Sequence, residues 1–314
     1  MKVLYIGDFI KGNGPSTVDI NVRDSILNSS QINQVAFLQS TTKLSLAVLK
    51  KIFSIDIIHV SGVSFLGMIL MAFARLCGKK ATMTMHGSLA IECHFNEIAL
   101  YRRVFESIQQ KLANEIMPVS NMLAKNLKIN KKITVIPNGV DLVPISSSLK
   151  QNNLITLIGG GRKEKRNLDI CKIINKINNE KKLNIRVNVF GEEGLDSNEI
   201  KIFSFVKYFG FCDKKSVFDS LAKSKIFIQY SEYEPFSLAV AEAINYNCYI
   251  ITSDFVGIND FITPSNDYMI VNNIEQLEQA IIFQYNCGER MKIKNTLLTW
   301  KQVSDKYIKC WEEL

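Results

Sequence analysis

The sequence lacks the cysteine patterns that stabilise small secreted proteins or hold structural zinc. Its seven cysteines are odd in number and scattered, and no two of them form a C-x-x-C pair. Such a set excludes a regular disulfide framework and argues against a zinc ribbon. Unpaired cysteines are typical of reducing compartments, so we expect a cytoplasmic protein.

Long apolar segments are also missing. The most apolar stretch, residues 63–74, stops at Arg75 and falls short of the roughly 20 residues that a membrane-spanning helix needs. Met1 and Lys2 lead directly into a strand-like run without the layout of a signal peptide. We expect residues 63–74 to form a buried helix, with contact to a membrane surface as the alternative.

Several catalytic signatures are absent as well. The chain has no Asp-x-Asp pair, no Gly-x-Ser-x-Gly elbow and no His-Glu-x-x-His helix. These absences argue against a carboxylate-held divalent metal, an α/β-hydrolase and a zinc protease, respectively. We therefore expect an activity without a bound metal.

What the chain does contain is the composition of a globular protein with excess positive charge. Apolar residues make up 47% and charged residues 22%, which argues against disorder. The formal net charge of +8 favours anionic partners, and on charge alone phosphates, nucleic acid and an anionic membrane are all candidates. No nucleic-acid recognition motif is present, so we expect no nucleic-acid partner.

Short β-branched runs alternate with helical patterns along both halves of the chain, including a predicted helix at residues 94–113. This alternation predicts parallel sheets with helices on both faces. A polar segment at residues 144–153 interrupts it and is typical of a linker. Because 314 residues suit two domains, we predict α/β domains at residues 1–145 and 146–296, followed by a helical tail at 297–314.

An acidic turn between a strand and a helix marks the first candidate site. The strand-like run 226–230 leads into Glu234 and Pro235, and Glu242 lies on the helix that follows. Ligands of open α/β sheets bind beyond the carboxyl ends of strands, where both glutamates can accept hydrogen bonds from a sugar or ribose. The alternative is a solvated helix start whose acids the helix dipole favours.

A basic glycine loop follows the first strand of the second domain. Residues 159–166 contain three glycines and four cations, Arg162, Lys163, Lys165 and Arg166. Arginine binds phosphate through paired hydrogen bonds, lysine adds a point charge, and glycines let a phosphate approach the backbone. We expect this loop to face the same crevice as Glu234, and a solvated charge run is the alternative.

Two further candidates lie in the first domain. His86 ends a predicted strand, where a neutral imidazole can hydrogen-bond a sugar hydroxyl or a phosphate and a protonated one adds charge. Gly12 and Gly14 precede the first helix and permit close approach of a ligand, with a plain capped turn as the alternative. His59 lies inside an apolar strand, and we expect it in the core.

Several short strings occur together along the chain. They are Gly12–Gly14, His86-Gly87, Val119-Ser120, Ile136-Pro137-Asn138-Gly139-Val140-Asp141, Gly161-Arg162, Lys165, Phe209-Gly210, Glu234-x7-Glu242-Ala243, Ser253 and Gly257. In this order they resemble the retaining glycosyltransferases of family 4 over nearly the whole chain. The resemblance implies the GT-B fold, in which two Rossmann-like domains face a cleft and the C-terminal helix crosses back to the first domain.

The resemblance also implies an enzyme that moves a hexose-type sugar from a nucleotide diphosphate sugar to an acceptor hydroxyl. It covers enzymes of bacterial surface-polysaccharide assembly, that is O-antigen, capsule or exopolysaccharide. The acceptor is then a glycan or a lipid-linked glycan, with peripheral contact at the cytoplasmic face of the inner membrane. Two other functions stay open: a GT-B-like nucleotide-sugar epimerase, and a non-catalytic nucleotide-sugar-binding subunit of a glycan-assembly complex.

The resemblance implies catalytic and binding roles for the residues at matching positions of this sequence. Catalytic roles fall on Glu234, His86, Arg162 and Lys165. Donor binding falls on Gly12, Gly14, Gly161, Arg162, Lys165, Arg166, Glu234, Phe236, Ser237, Leu238 and Glu242. The implied contacts are Glu234 and His86 with the sugar, Glu242 with the ribose, and Arg162 with Lys165 or Arg166 on the diphosphate, without metal or cofactor.

Three features of the sequence depart from the family pattern. Pro235 follows the first glutamate where glycine is common, and Asn247 stands five residues after the second, again in place of glycine. The basic motif ends in Arg166-Asn167 rather than Lys-Gly. The sequence therefore leaves open whether Lys165 or Arg166 takes the part of the family's lysine.

Overall fold

We describe a computed structural model of the chain over residues 1–10, 14–29, 34–127, 129–141, 150–288 and 293–314. The chain divides into two compact units. Unit 1 comprises Met1–Val140 with Leu298–Leu314, and unit 2 comprises Asp141–Leu297. The predicted domain boundary at residues 145 and 146, with most of the predicted linker, lies outside the described residues.

Unit 1 is built on a parallel sheet. Its strands are β1 (Val3–Gly7), β2 (Val35–Gln39), β3 (Ile57–Ser61), β4 (Lys80–Met85), β5 (Glu115–Pro118) and β6 (Lys132–Ile133). Within the described residues their order is β2-β1-β3-β4-β5-β6. Every residue of β1, β3 and β5 is buried, as expected for parallel strands that helices cover on both faces.

The helices of unit 1 fill the crossovers between these strands. They are α1 (Gly14–Leu27), α2 (Leu46–Lys50), α3 (Phe65–Leu76), α4 (Leu89–Glu92), α5 (Leu100–Leu112) and α6 (Asn121–Asn126). Residues 63–74, predicted as a buried helix, lie mostly in α3, which buries Leu66, Leu70 and Met71. In the described part of the chain no helix is both long and apolar enough to cross a membrane.

The C-terminal segment belongs to unit 1. A short strand, β14 (Leu298–Thr299), pairs with β7 (Gly139–Val140), and α12 (Trp300–Glu312) follows with a capping box between Thr299 and Gln302. Trp311 is buried at 1% exposure, and the Tyr307 hydroxyl lies 2.9 Å from Thr84 Oγ1 in β4. His59 is buried between Thr82 and Thr84, as predicted for a core residue.

Unit 2 repeats the architecture. Its strands are β8 (Gln151–Ile158), β9 (Arg186–Phe190), β10 (Val206–Gly210), β11 (Ser224–Gln229), β12 (Tyr249–Ser253) and β13 (Tyr268–Val271). Its helices are α7 (Asn167–Lys181), α8 (Ser197–Lys201), α9 (Lys214–Lys223), α10 (Leu238–Asn245) and α11 (Ile274–Asn286). The described strands are parallel in the order β10-β9-β8-β11-β12-β13, so the predicted class of two Rossmann-like α/β domains is confirmed.

Two local predictions were wrong. The predicted helix at residues 94–113 is interrupted, because the amides of Phe95 and Asn96 turn back to the carbonyl of Glu92 and α5 begins only at Leu100. The last three residues of the predicted linker belong to β8, where Gln151 pairs with Ser224 of β11. Pairing with a neighbouring strand outweighs the low strand propensity of this polar segment.

Candidate functional site

In unit 2 the candidate residues lie where the strand order changes direction. The chain runs from β8 to β9 on one side and later returns to β11 on the other side of β8. At such a point the loops that leave the two central strands diverge, which creates a crevice at their carboxyl ends. The loop after β8 contains Gly161 and Lys165, and the loop after β11 contains Glu234.

The glycine turn after β8 is shaped by the neighbouring loop after β9. Gly159 and Gly160 have φ angles of 122° and 61°, a region that residues with a Cβ rarely adopt. A Cβ on Gly160 would lie 2.0 Å from the carbonyl oxygen of Glu192, and one on Gly161 would lie 2.1 Å from Ser197 Oγ. Contacts within the protein therefore require these glycines.

Lys165 and Glu234 form a direct ion pair. The Lys165 Nζ atom lies 2.5 Å from Glu234 Oε2, and the two side chains are 9% and 18% exposed. Partial burial weakens solvent screening, so their attraction exceeds that of an ordinary surface pair. This contact joins the loops after β8 and β11 through opposite charges.

The two arginines of the basic loop have different surroundings. The guanidinium of Arg166 lies 4.2 Å from the ring centroid of Tyr230, and its Nε donates to Asp169 at 2.9 Å. The Arg162 side chain is 47% exposed. The sequence left Lys165 and Arg166 as alternatives for the family's lysine. Lys165 contacts Glu234, whereas Arg166 contacts Tyr230 and Asp169.

The loop that follows β12 holds the backbone at Glu234. The Glu234 amide donates to the carbonyl of Phe255 at 2.9 Å, and the Gly257 amide donates to the Glu234 carbonyl at 2.8 Å. Both bonds use backbone groups of Glu234 itself. The missing amide of Pro235 removes neither of them, which explains how proline fits at this position.

Phe236, Ser237 and Leu238 form the start of α10. Phe236 is buried, and its carbonyl accepts from the amide of Ile258 at 2.9 Å. Ser237 is the N-cap, with Oγ accepting from the Val240 amide at 3.3 Å, and its φ is 88°. Because serine rarely adopts a positive φ, the helix beside Glu234 begins with backbone strain.

Glu242 lies in the second turn of α10 and is half-buried. Burial raises its pKa to about 7; the charge of Asp141 adds to this effect and Lys214 opposes it. Its carboxyl group therefore changes protonation near neutral pH, which is typical of functional sites. Beyond the helix, Asn247 has a φ of 54°, and asparagine tolerates this conformation better than most residues, which accounts for its place where glycine is common.

In unit 1 the strand order changes between β1 and β3, and His86 follows β4 beside this point. His86 Nε2 lies 2.7 Å from Ser61 Oγ and 4.0 Å from Asp19 Oδ1. The Tyr5 hydroxyl donates to the same Asp19 oxygen at 2.8 Å. Burial lowers the pKa of His86 to about 4 and raises the pKa of Asp19 to about 6, so the imidazole is neutral at neutral pH.

The remaining predicted site residues are placed less tightly. Gly14 is the exposed first residue of α1, where a Cβ would meet nothing within 4 Å among the described residues. Gly12 lies outside the described residues. The described members of the predicted set thus form two separate groups, His86 and Gly14 in unit 1 and all the others in unit 2.

Sequence reasoning missed Asp19 and Ser61, which surround His86. Asp19 lies on the buried stripe of α1 with Val22 and Ile26, so an acid at an apolar position was a signal in the sequence. Ser61 carries no comparable signal. Among the described residues no group of three or more histidine, cysteine, aspartate or glutamate side chains is placed to hold a metal ion.

Two family models match the sequence of the chain. The model described as Glycosyltransferase Family 4 matches residues 27–143, and the model described as Glycosyl transferases group 1 matches residues 142–296. Together the two matches span residues 27–296 of the chain. The chain belongs to the GT-B glycosyltransferases of family 4 type.

Solved structures share the fold of this GT-B glycosyltransferase over its full length. Anabaena HepE, solved in complex with UDP and glucose, has a TM-score of 0.71 at 14% identity, with 100% of both chains covered. A glycosyltransferase from Rickettsia africae has a TM-score of 0.70 at 16% identity, and sucrose-phosphate synthase from Thermosynechococcus elongatus 0.70 at 12%. Each of the last two similarities covers 99% of this chain and 98% of the solved chain.

At these identities the likeness establishes the fold of the glycosyltransferase and not its substrates. No curated protein sequence matches the chain significantly. The donor and the acceptor must therefore be argued from the site itself.

Proposed function

We propose that this GT-B glycosyltransferase is a retaining hexosyltransferase that moves a sugar from a nucleoside diphosphate sugar to an acceptor hydroxyl. The observation that carries the proposal is the Lys165–Glu234 pair at 2.5 Å, at the point where the strand order of unit 2 changes. A cation beside a carboxylate suits a ligand in which phosphate adjoins sugar hydroxyls. The complex of Anabaena HepE with UDP and glucose supports a donor of this class.

Side-chain cations, rather than the amides of the glycine turn, hold the leaving diphosphate. The amides of Gly159 and Gly160 already donate to the carbonyl of Phe190 at 2.8 Å. Lys165 and the half-exposed Arg162 supply positive charge in the same loop. Negative charge grows on the leaving phosphate during transfer, so cations placed there in advance stabilise the transition state more than the bound donor. No metal or cofactor takes part in this proposal.

Glu234 changes its partner when the donor binds. Without a donor it neutralises Lys165, and with a donor the diphosphate takes over Lys165 while Glu234 accepts a hydrogen bond from a sugar hydroxyl. Glu242, in its ionised form, accepts from the hydroxyls of the ribose. In unit 1 the neutral imidazole of His86 hydrogen-bonds a substrate hydroxyl.

The test compares Glu234→Gln with the matched control Glu232→Gln, whose carboxylate is 47% exposed. A thermal-shift screen of UDP-, GDP-, ADP- and dTDP-sugars first identifies the donor, because a ligand at 100 times its dissociation constant stabilises the folded chain by roughly 2.7 kcal/mol. With donor and acceptor in hand, we expect Glu234→Gln to lower kcat on the order of 100-fold and the control to change it little.

Four outcomes would contradict the proposal. Undiminished transfer by Glu234→Gln would rule out the proposed site. An inverted anomeric centre in the product would rule out a retaining mechanism. Conversion of the donor without an acceptor would identify an epimerase, and donor binding without any turnover would identify a binding subunit.

We also propose that the acceptor is a glycan or lipid-linked glycan of bacterial surface-polysaccharide assembly, reached at the cytoplasmic face of the inner membrane. The supporting observation is the burial pattern of α5, which exposes apolar side chains and buries polar ones. Leu100, Tyr101 and Val104 are 70%, 60% and 45% exposed, whereas Glu106 and Gln109 are buried. The exposed charges of this helix are all positive, namely Arg102, Arg103 and Lys111. Exposed apolar and basic side chains on the same helix match an anionic lipid surface.

Sedimentation with vesicles tests this contact. Leu100→Ser with Val104→Ser should lose most binding to vesicles that contain phosphatidylglycerol, because each apolar side chain contributes about 1.5–3 kcal/mol when buried. The matched control replaces Leu195 and Ile202, which are exposed in unit 2, by serine. Equal binding of both variants, or no binding of the unmodified chain, would overturn the proposed contact.

A further inference from the structure

A buried series of hydrogen bonds leads to His86 in unit 1. The Tyr5 hydroxyl donates to Asp19 Oδ1 at 2.8 Å, and the Asp8 amide donates to Asp19 Oδ2 at 2.7 Å. Ser61 Oγ lies 2.7 Å from His86 Nε2, and the Ser61 hydroxyl lowers the pKa of Asp19, as a donor to its carboxylate does. Asp19 and Ser61 are buried, and the side chain of His86 is 10% exposed. Since water is largely excluded, each proton has to be shared among these groups.

The number of protons determines the tautomer of His86. Tyr5 has one hydroxyl proton and donates it to Asp19. An ionised carboxylate only accepts, and it attracts a donor more strongly than a neutral imidazole does, so the single proton of Ser61 also goes to Asp19. Ser61 Oγ then faces His86 Nε2 as an acceptor. The imidazole proton therefore has to lie on Nε2, and Nδ1 keeps a lone pair.

His86 Nδ1 is the atom that this arrangement presents to a ligand. It is buried and has no hydrogen-bond partner among the residues that the structure describes. A buried acceptor without a partner is destabilising unless a ligand satisfies it. A lone pair accepts from a hydroxyl group and repels the oxygens of an ionised phosphate, so the two ligands considered for His86 are no longer equivalent.

We infer that Asp19 and Ser61 are positioning residues that hold His86 in the Nε2–H tautomer, and so select a sugar hydroxyl rather than a phosphate as the partner of Nδ1. The hydroxyl partner rests on the proposed glycosyl transfer. The tautomer itself does not depend on that function.

Nuclear magnetic resonance of histidine labelled with ¹⁵N measures the tautomer directly. The chain has three histidines, and the His86 signals are identified by their loss in His86→Gln. We expect a protonated Nε2 and an unprotonated Nδ1. In Asp19→Asn the new amide can donate to Ser61, which frees the serine proton for Nε2 and moves the imidazole proton to Nδ1.

Matched variants separate this role from a general effect on folding. Asp24→Asn changes an exposed carboxylate of the same helix and should keep the original tautomer, as should Ser61→Thr, which retains the hydroxyl. Ser61→Ala should give a mixture, and it carries the test if Asp19→Asn fails to fold. A proton on Nδ1 in the unmodified chain, or the Nε2–H tautomer unchanged in both Asp19→Asn and Ser61→Ala, would overturn the inference.

Kinetics then test the consequence for substrate. Asp19→Asn should lower kcat about 10- to 100-fold, because a hydrogen bond to the substrate hydroxyl is replaced by a mismatched donor, with a smaller effect on the KM for the donor. If kcat were unchanged although the tautomer is reversed, the inferred contact between His86 Nδ1 and a sugar hydroxyl would be ruled out. If no donor supports transfer, the proposed function fails while the tautomer result stands or falls separately.

Discussion

The two units place different chemistry at equivalent points of their sheets. In unit 1, Asp19, Ser61 and His86 form a buried cluster beside the change of strand order between β1 and β3. In unit 2, Lys165 and Glu234 form a charged pair beside the change between β8 and β11. The first site is neutral at its histidine, and the second is held together by opposite charges.

The partners of the two side chains explain the difference, because His86 and Lys165 are almost equally buried, at 10% and 9% exposure. Because desolvation disfavours the charged form, it lowers the pKa of His86 to about 4, which leaves a group suited to hydroxyls. Lys165 instead lies 2.5 Å from the Glu234 carboxylate, and a lysine cation is suited to phosphate. The two units thus share a topology and differ in the partners of His86 and Lys165. Four tests of the differences between the two units follow in order of expected effect.

Gly160 and Gly14 should differ strongly in how well they tolerate substitution by alanine. Gly160→Ala places a Cβ 2.0 Å from the Glu192 carbonyl at a φ of 61°, so we expect a loss of about 3 kcal/mol or more in the free energy of unfolding. Gly14→Ala meets open space among the described residues and should change stability by less than about 1 kcal/mol. Denaturant titration of both variants measures this, and equal losses would contradict a difference between the loops.

Lys165→Ala should remove the charge contrast. We expect kcat for sugar transfer to fall on the order of 100-fold, because the leaving phosphate loses a cation and Glu234 loses its partner. Lys163→Ala, in the same loop but exposed, is the matched control and should stay within a few-fold of the unmodified chain. Similar losses in both variants would indicate that only the total charge of the loop matters.

Glu242→Gln should abolish a pH dependence of donor binding. The pKa of Glu242 is raised to about 7, and the proposed ribose contact requires its ionised form, so donor affinity should rise roughly tenfold between about pH 6 and about pH 8. The folded chain also holds this proton more tightly than the unfolded chain. The stability contributed by Glu242 is therefore lost as pH rises towards 7.

Calorimetric titration of the donor across this range measures the effect. The variant should bind with the same affinity at every pH. If the donor affinity of Glu242→Gln still changed with pH, another titrating group would be responsible for the pH dependence.

The helix caps provide the smallest test. Ser237 caps α10 at a φ of 88°, whereas Ser120 caps α6 at an ordinary φ of −156°. Ser237→Gly relieves strain and loses only part of a cap, so we expect a gain of up to about 1 kcal/mol in stability. Ser120→Gly should cost a few tenths of a kcal/mol. Thermal unfolding distinguishes the two, and a loss at Ser237 would show that its backbone is not strained.

Local patterns predicted most of the fold because they depend on neighbouring residues. The apolar run at residues 226–230 and the acidic turn after it predicted β11 and the start of α10. The same approach failed at residues 94–99, where the chain turns back on α4, and at residues 151–153, which belong to β8 and where Gln151 pairs with Ser224 of β11. In both cases contacts beyond the local pattern outweighed composition.

By itself the sequence determined the two α/β domains, the positions of its motifs at strand ends and, through those motifs, the family. Periodicity and turn chemistry are local, so a single chain displays them. Only the tertiary structure decided that Lys165 rather than Arg166 contacts Glu234, and that Asp19 and Ser61 surround His86. These pairs are far apart along the chain, and the order of the strands brings them together, which no local pattern encodes.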